Sequence, residues 1–378
     1  MKFLFTTLFA KTIHKLMKIL GTGVGYSLPG YLALNIYPDI LSNSKIHFNK
    51  GLIFVTGTNG KTTTAKLLSH MIEAQGHTVL TNKTGANLLR GITSSILLAT
   101  TLRGTLSVDY GVFEVDEFTL PQLLPYLKPD VLILLNLSRD QLDRFGETDI
   151  IVEKWGLAIV RDTPHNLVIY SGTPDFIDIF RDFPNVSYFD DSRIHSAKTK
   201  LKGDFNAKNL NAALCSLKLL GFEENALIES LIDFEFAYGR GERVSNHYIY
   251  LAKNPSSFDH NLSLLAEFDP STSAVLLVLN DNIPDGRDVS WIYDISSDLL
   301  AKTLSPFAKI FVSGTRCYDL AVRLHYVGIE LPIDHINPQI SNIISVINSD
   351  NEIAQVVTFP NYSAMLELRK LLLGRAIL

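Results

Sequence analysis

The chain has 378 residues, 46% of them hydrophobic and 19% charged, and its formal net charge is −5. This length predicts two or three domains, each large enough for its own core, and the negative charge gives no support for a nucleic-acid partner. The two cysteines, Cys215 and Cys317, are far apart in the sequence. Two thiols cannot supply the four ligands of a structural zinc site, so we expect no zinc, and a cytoplasmic, reducing compartment fits.

Residues 1–48 are predicted to form an amphipathic helix followed by an arm. At 100° per residue one helix face is basic and the opposite face is apolar. The basic face carries Lys11, His14, Lys15 and Lys18, and the apolar face carries Phe9, Ile13, Leu16 and Leu20. Such a helix either lies on an anionic membrane surface or docks on its own domain with the lysines in water, and the two are not exclusive. No apolar run reaches about 18 residues, so no membrane-spanning helix is predicted.

Residues 49–240 read as one α/β domain, because short apolar runs alternate with helical patterns. Continuous runs of Val, Ile and Leu are typical of parallel strands buried on both faces. Residues 171–200 are predicted to be irregular. The strands of this domain are predicted at 52–55, 78–81, 112–115, 131–137 and 167–170.

A second α/β pattern covers residues 241–378 and predicts a Rossmann-like C-terminal domain. A break in the pattern at 236–247 places the boundary, which reads as an exposed connection. The strands are predicted at 249–252, 274–279, 309–312 and 355–359, and the helices at 257–267, 297–303, 316–327, 340–348 and 363–373.

A glycine-rich turn follows the first buried strand and precedes a helix, which is the arrangement of a phosphate-binding loop. Its backbone N–H groups and the positive end of the helix face phosphate oxygens, while the lysine reaches the outer phosphates. We therefore predict that ATP binds here. The cofactor-binding residues are Gly57, Thr58, Asn59, Gly60, Lys61, Thr62 and Thr63.

Polar residues follow two strands of this domain, where the ligands of open α/β sheets collect. Glu114 ends the strand 112–115 and is well placed to hold Mg²⁺ together with the Thr62 hydroxyl. The alternative for Glu114 is a solvated strand end. Residues 136–146, after the next apolar strand, are densely polar and suggest a substrate or phosphate site.

Two further candidates lie near the end of the domain. Asn206 and Asn209 open a helix, and their amides can recognise the edge of a base, although helix capping by Asp204 or Asn206 explains part of the pattern equally well. Arg240 lies in the predicted connection and can contact a terminal phosphate when domains close; a solvent-exposed arginine is the alternative.

Together these segments resemble the Mur ligase family, in that family's order and over nearly the whole chain. The resemblance implies a central P-loop ATPase domain with a parallel sheet, and a reaction in which ATP converts a carboxylate to an acyl phosphate that an amine attacks. It implies catalytic roles for Lys61 and Glu114. The chain is similar in particular to the MurT branch of the family, through the blocks 84–87, 138–147, 279–282, 285–294, 313–316 and 360–362.

The MurT resemblance implies amidation of the D-glutamate α-carboxylate in the stem peptide of lipid II, a step of peptidoglycan synthesis. The ammonia would come from a separate, GatD-like glutaminase that binds the C-terminal domain, since the chain itself has no convincing Cys–His glutaminase pair. The resemblance also implies that Asp288 supplies the acid that orients the partner's catalytic histidine. Asp285 and Asp294 are the fallback candidates, and capping of a turn by Asp288 is the alternative.

Three features depart from the family pattern. The four cysteines of the zinc ribbon that many MurT proteins carry are missing, Gln141 stands where amino-acid-adding Mur ligases have a metal-binding histidine, and Lys154 does not match the family's carbamylated lysine. A rival hypothesis is a ligase that adds an amino acid, as murein or folylpolyglutamate ligases do. Another is a silent, nucleotide-sensing scaffold. The block 285–294 argues against the first, and the intact Lys61, Thr62 and Glu114 argue against the second.

Overall fold

The computed structural model describes residues 2–20, 27–82, 86–137, 148–192, 204–234 and 239–374. The described residues up to 234 form one unit, and those from 239 onward form a second unit. The polar block 138–147, most of the predicted substrate or phosphate stretch, lies outside the described residues, as do Thr84 and Gly85.

Unit 1 alternates helices and strands. Its helices are α1 (Lys2–Leu20), α2 (Leu28–Ile36), α3 (Lys61–Ala74), α4 (Leu89–Ala99), α5 (Leu120–Leu123), α6 (Thr148–Arg161), α7 (Pro174–Phe180), α8 (Asp204–Leu219) and α9 (Glu224–Glu229). Its strands are β1 (Gly51–Thr56), β2 (Val79–Thr81), β3 (Tyr110–Glu114), β4 (Val131–Leu134), β5 (Asn166–Tyr170) and β6 (Val186–Phe189).

These six strands form sheet A, in the order β2-β3-β1-β4-β5-β6, and every pairing is parallel. Every residue of β1, β3 and β4 is buried, which explains their continuous apolar sequences. The predicted parallel α/β architecture is therefore confirmed. Because β1 lies at the centre of the sheet, the turn that follows it opens between the ends of β3 and β4.

Helix α1 packs against α2 and α4, but not through the face that its sequence predicts. Its buried side chains are Phe3, Thr6, Thr7 and Ala10. Lys11, expected in water, donates to the carbonyl oxygen of Leu98 at 2.6 Å, and burial lowers the pKa of its ammonium. Leu16, expected on the packed face, is exposed. Periodicity reveals that a helix has two faces, but not which of them meets a neighbour.

Unit 2 also alternates helices and strands. Its strands are β7 (Arg240–Val244), β8 (His247–Tyr250), β9 (Ser273–Val278), β10 (Ile310–Ser313), β11 (Ile336–Asn337) and β12 (Gln355–Pro360). Its helices are α10 (Pro255–Ser263), α11 (Ser297–Leu304), α12 (Cys317–Tyr326), α13 (Ile340–Ser349) and α14 (Tyr362–Leu373). The six strands form sheet B, in the order β11-β10-β9-β12-β8-β7, and only the β7–β8 pairing is antiparallel.

Sheet B has a separate hydrophobic core on each face. Along β9, Val275 and Leu277 belong to one core, while Ala274, Leu276 and Val278 belong to the other. Since successive side chains of a strand point to opposite faces, a strand covered on both sides must be apolar throughout. The helical layers on the two faces of sheet B thus account for the uninterrupted run that predicted β9.

Three strands were not predicted from the sequence, and two helices lie where none was predicted: α2 is in the predicted arm, and α7 is in a predicted irregular stretch. Strand β6 and helix α7 lie in 171–200, predicted to be irregular, and β7 lies where an exposed connection was predicted. β6 and β7 are outermost in their sheets, and β11 has only two residues. Outer strands are only partly buried, so they lack the continuous apolar sequence by which inner strands are recognised.

Candidate functional site

The turn between β1 and α3 is shaped by two glycines with positive φ, Gly57 at +133° and Gly60 at +92°. A Cβ on Gly57 would lie 2.8 Å from the carbonyl oxygen of Asn136, and a Cβ on Gly60 would collide with the side chain of Asn209. Only glycine avoids both the contacts and the strained backbone. The predicted sequence of strand, glycine turn and helix is present in the structure.

Asn136, just beyond β4, fastens this turn to the neighbouring strand. Its carbonyl oxygen accepts from the Thr58 N–H at 2.9 Å, and its side-chain oxygen accepts from the Asn59 N–H at 3.0 Å. Its side-chain nitrogen donates to the Asn59 carbonyl oxygen at 2.9 Å. Three bonds from one residue hold the turn in a fixed shape. A preformed turn needs no ordering when a ligand arrives.

Lys61, the first residue of α3, is buried, and its ammonium is bonded inside the turn. Nζ donates to the carbonyl oxygens of Gly57 and Thr58 and, at 2.9 Å, to Oε1 of Glu117. Both side chains of this ion pair are almost fully buried. The Glu117 carbonyl oxygen accepts from the indole N–H of Trp155 at 2.7 Å. Glu117 is a site residue that was not singled out from the sequence.

Thr62 and Glu114 lie together, as the sequence predicted for a pair of metal ligands. The Thr62 hydroxyl donates to Oε2 of Glu114 at 2.8 Å. Asn82 fixes the backbone of Glu114 by accepting its N–H and donating to its carbonyl oxygen, both at 2.9 Å. Adjacent ligands on an octahedral Mg²⁺ are about 2.9 Å apart. Two oxygens at this separation fit a magnesium ion bound to both.

Asn206 and Asn209 are buried in the first turns of α8, and the Asn209 side chain packs on the turn at Gly60. Arg240 is the first residue of β7 in unit 2, and its side chain is outside the described part of the chain. The structure thus brings Asn209 to the phosphate loop. The roles predicted for Asn206, Asn209 and Arg240 stay predictions.

In unit 2 the separate sequence blocks meet at the carboxyl ends of three adjacent strands, β10, β9 and β12. Asn361 donates to the carbonyl oxygen of Asn280 at 2.6 Å and accepts its N–H at 3.2 Å. Oδ1 of Asn280 in turn accepts the Thr315 N–H at 3.0 Å. The blocks 279–282, 313–316 and 360–362 are therefore one hydrogen-bonded cluster.

The three aspartates of the block 285–294 have different environments. Asp285 is buried, accepts the N–H and hydroxyl of Ser363, and has a carboxyl pKa raised by burial. Asp288 is exposed, and its Oδ1 accepts the Ser290 N–H at 2.8 Å. Hydrogen bonds from Ser290 lower the pKa of Asp288, so it is a carboxylate at neutral pH. Asp294 is exposed. Asp288 thus combines exposure to solvent with a hydrogen bond that fixes its carboxylate in a turn.

A buried arginine fixes the segment that carries Asp288. The guanidinium of Arg323, on α12, donates to the carbonyl oxygens of Ile292 at 2.9 Å and Ile295 at 2.7 Å. The side chains of Val289, Trp291 and Ile292 are buried in the unit's core. The exposed carboxylate of Asp288 therefore belongs to a segment that is held in place by apolar packing and by the Arg323 guanidinium.

Among the described residues, no three His, Cys, Asp or Glu side chains cluster as a metal site would require.

Only weak signals in the sequence pointed to Glu117 and Asn82, the partners of Lys61 and Glu114. Glu117 is three residues beyond Glu114, and Asn82 directly follows β2. Both lie at the carboxyl end of sheet A, so proximity to strand ends was the only clue that the sequence offered.

Two family models match the chain, one in each unit. Residues 55–178 match the Mur ligase middle domain, and residues 251–365 match the MurT ligase C-terminal domain. The chain thus has one segment similar to a Mur ligase middle domain and another similar to a MurT ligase C-terminal domain. The phosphate loop, Glu114 and Glu117 fall in the first matched segment, and Asp285, Asp288 and Arg323 fall in the second.

The chain is also similar to curated proteins over most of its length. The chain is 29% identical to the protein named lipid II isoglutaminyl synthase (glutamine-hydrolyzing) subunit MurT of Staphylococcus aureus strain COL, with 86% of this chain and 88% of that protein covered. It is 25% identical to the protein of the same name from Streptococcus pneumoniae strain R6, with 94% of both covered. Both alignments span the Mur ligase and MurT domains.

Solved structures show the same fold. The folylpolyglutamate synthase of Mycobacterium tuberculosis complexed with ADP superposes with a TM-score of 0.68 at 16% sequence identity, covering 98% of this chain and 99% of that one. At this identity the likeness concerns the fold. The predicted Mur ligase-like architecture is confirmed.

Proposed function

We propose that this protein is the ligase subunit of an amidotransferase that converts the D-glutamate α-carboxylate of lipid II to the carboxamide of D-isoglutamine. The observation that carries the proposal is the union, in one chain, of a Mur ligase middle domain with a MurT-type C-terminal domain. The names of the relatives indicate the lipid substrate and the use of glutamine.

ATP would bind on the phosphate loop, 57–63, with its phosphates at the amino end of α3. An α-helix does not use its first-turn N–H groups in its own hydrogen-bond ladder. In α3 these groups belong to Lys61, Thr62 and Thr63, and the helix dipole favours anions at this end. The ADP complex of a protein with this fold supports the assignment. Asn206 and Asn209 would contact the base, and Arg240 the terminal phosphate.

Thr62 and Glu114 would hold Mg²⁺, and the 2.8 Å between their oxygens suits that ion. When bound, the metal supplies positive charge that neutralises the phosphate oxygens. Lys61 supplies a second positive charge from the protein itself. In the structure its ammonium is neutralised by Glu117, and the approach of a phosphate would replace or share that pairing.

The reaction would proceed in two displacements. An oxygen of the D-glutamate α-carboxylate attacks the γ-phosphorus of ATP, so that an acyl phosphate forms and ADP leaves. The nitrogen of ammonia then attacks the acyl carbon, phosphate leaves, and the nitrogen loses a proton to give the amide. Positioning and fixed positive charge would supply most of the acceleration, as in other phosphoryl transfers.

A GatD-like glutaminase would supply the ammonia and dock on unit 2 beside Asp288. Helix α12 presents an exposed stripe of Tyr318, Val322 and Tyr326, four residues apart and hence on one face. Tyr293, from the segment that carries Asp288, adds its ring 6.4 Å from that of Tyr326. Exposed tyrosines on α12 and on the segment that carries Asp288 suit a protein interface. Asp288 would orient the partner's catalytic histidine across it.

The complex would work at the cytoplasmic face of the membrane, where a lipid-linked substrate is held. Among the described residues no helix has both the length and the apolar character needed to cross a bilayer. Contact with the lipid surface would then be peripheral.

One assay separates this proposal from its rivals. The reconstituted two-subunit complex is given ATP, lipid II and ammonium, with each omitted in turn, and phosphate release and lipid II amide are measured. We expect amide and sustained hydrolysis only when all three are present. An amino-acid-adding ligase would need an amino acid in place of ammonium, and a nucleotide-sensing scaffold would hydrolyse no ATP in response to lipid II. Either result would overturn the proposal.

A further inference from the structure

The outer face of α1 carries large apolar side chains, although the face that packs on the protein is already filled by Phe3, Thr6, Thr7 and Ala10. Four large apolar residues of this helix are exposed: Phe5 by 65%, Leu8 by 39%, Leu16 by 48% and Ile19 by 71%. At 100° per residue they fall within an arc of about 80°. A single exposed leucine is ordinary, but four large apolar side chains on one helix face, interrupted by the exposed Thr12, mark a surface that binds something.

The stripe is bordered by positive charge. On the helical projection Lys15 lies beside it on one edge and Lys2 on the other, and both side chains are exposed, as is that of Lys18. The first 38 residues contain four lysines and no acidic residue, although the whole chain has a net charge of −5. The segment that carries the apolar stripe therefore has a local excess of positive charge within an acidic protein.

A neighbouring loop extends the same surface. Gly104, in the loop after α4, faces the side chains of Phe3 and Leu4 at the amino end of α1. A Cβ added to Gly104 would lie 3.5 Å from both. Two residues before it, Leu102 is 73% exposed, and Arg103 beside it is exposed as well. An apolar side chain next to a basic one repeats the pattern of the helix.

We propose that the outer face of α1, with Leu102 and Arg103, is a docking surface for an anionic lipid bilayer. The helix would lie in the plane of the interface with Phe5, Leu8, Leu16 and Ile19 among the acyl chains. Lys2, Lys15 and Lys18 would reach the anionic headgroups, since long basic side chains extend their charge to the polar region. The stripe runs from Phe5 to Ile19, about 21 Å along the helix axis, and this length suits a flat surface better than a small ligand.

Charge selects a bilayer from the possible occupants. A second copy of this chain would oppose its own lysines across such a contact, and like charges at an interface are repulsive. An anionic surface attracts all of them at once, by about fivefold in affinity per lysine. Such docking deepens the proposed function, on which it rests for its purpose, because it would bring the enzyme to a lipid-linked substrate.

The test is flotation of the full-length protein with phosphatidylcholine vesicles, with and without phosphatidylglycerol, in the absence of lipid II and ATP. We expect the wild-type chain to float with the anionic vesicles only. Phe5→Gln with Ile19→Gln should weaken binding at least tenfold, and Lys15→Gln with Lys18→Gln about 25-fold. The matched control is Leu157→Gln with Ile333→Gln, two exposed apolar residues elsewhere, which should float like the wild type.

A second measurement does not depend on loss of binding. The two native tryptophans are buried, so Phe5→Trp places one reporter on the outer face, whose emission should shift to the blue with anionic vesicles. Failure of the wild type to float, equal flotation with neutral vesicles, or full binding by the Phe5/Ile19 variant would overturn the proposal. So would a wild-type dimer that this variant dissociates. Because no amidation is measured, these outcomes are independent of the proposed function.

Discussion

The carboxyl ends of the two sheets hold their buried charges in different ways. At sheet A a buried lysine and a buried glutamate form an ion pair, whereas at sheet B a buried aspartate accepts hydrogen bonds from uncharged donors. Lys61 meets Glu117 in a nearly dry ion pair. Asp285 is held by the N–H and hydroxyl of Ser363. Unit 2 presents its functional candidate, Asp288, outside this cluster and in contact with solvent.

The difference concerns what each cluster can exchange. A buried ion pair contains a charge that another charged group can take over, so the Lys61–Glu117 pair suits a site that admits phosphate. A network of neutral donors around one carboxylate fixes the shape of loops and offers nothing to a ligand. We infer that the residues at the carboxyl end of sheet A take part in the chemistry, and that those at the carboxyl end of sheet B form a rigid platform for Asp288.

The largest expected effect is on the charged cluster. Lys61→Ala should lower the amidation rate by about 10²- to 10³-fold, because the variant lacks the fixed positive charge that stabilises the phosphate during its transfer. The assay is amidation of lipid II by the reconstituted complex. Lys66→Ala, on the same helix with its ammonium 5.9 Å from the centre of the Phe234 ring, is the control and should stay near wild-type rate. A near wild-type rate for Lys61→Ala would remove the ATP site from this loop.

Acid should distinguish the two units. His247 is fully buried in sheet B, and burial lowers its pKa from 6.5 to about 4. Its neutral form is therefore favoured by folding: the stabilisation is present above pH 6.5 and is lost as the pH falls toward 4. The loss amounts to about 3 kcal/mol of unfolding free energy in unit 2.

Trp155 lies in unit 1 and Trp291 in unit 2, so Trp→Phe at either position leaves a reporter of the other unit. Urea unfolding at pH 7.5 and pH 5 should show the larger loss through Trp291. His247→Gln, which gains no proton in this range, should reduce that pH dependence. Equal losses at both tryptophans would contradict the assignment to unit 2.

Asp288→Asn tests whether the platform serves a partner. The substitution keeps the oxygen that accepts the Ser290 N–H but removes the charge, so glutamine-driven amidation should fall about tenfold to a hundredfold. Amidation driven by added ammonia should persist, because Asp288 is not part of the phosphate-loop cluster. Asp294→Asn, at an exposed acid six residues away, is the matched control. Equal loss with both nitrogen sources, or loss with neither, would contradict the role.

The smallest effect is expected where the carboxylate is structural. Asp285→Asn should lower the unfolding free energy of unit 2 by about 1–2 kcal/mol, because the amide replaces one of the two acceptors offered to Ser363. Thermal or urea unfolding followed through Trp291 measures it, and Asp288→Asn should leave the same transition unchanged. If Asp285→Asn left stability intact and abolished glutamine-driven amidation, the roles of the two aspartates would be reversed.

The features that the sequence predicted are local ones. Strand, glycine turn and helix are adjacent in the chain, so 57–63 was recognisable from its own residues. The Lys61–Glu117 pair joins residues 56 apart, and Asn280 bonds to Asn361 across 81 positions. Such pairs depend on strand order, which the sequence does not reveal. The packed face of α1 was left open for the same reason: periodicity describes a helix alone, and its neighbours decide which face they cover.

The position of β12 in sheet B has a consequence for synthesis on the ribosome. This strand is the last of the described strands to be synthesised, yet it lies between β9 and β8. Until residues 355–360 emerge, β11-β10-β9 and β8-β7 are therefore not joined into one sheet. Sheet A has all its strands by Phe189, and domains fold as units from the amino end during translation. A nonsense mutation just before Gln355 would therefore remove an inner strand and leave unit 1 with an unfolded polypeptide attached, a target for proteases.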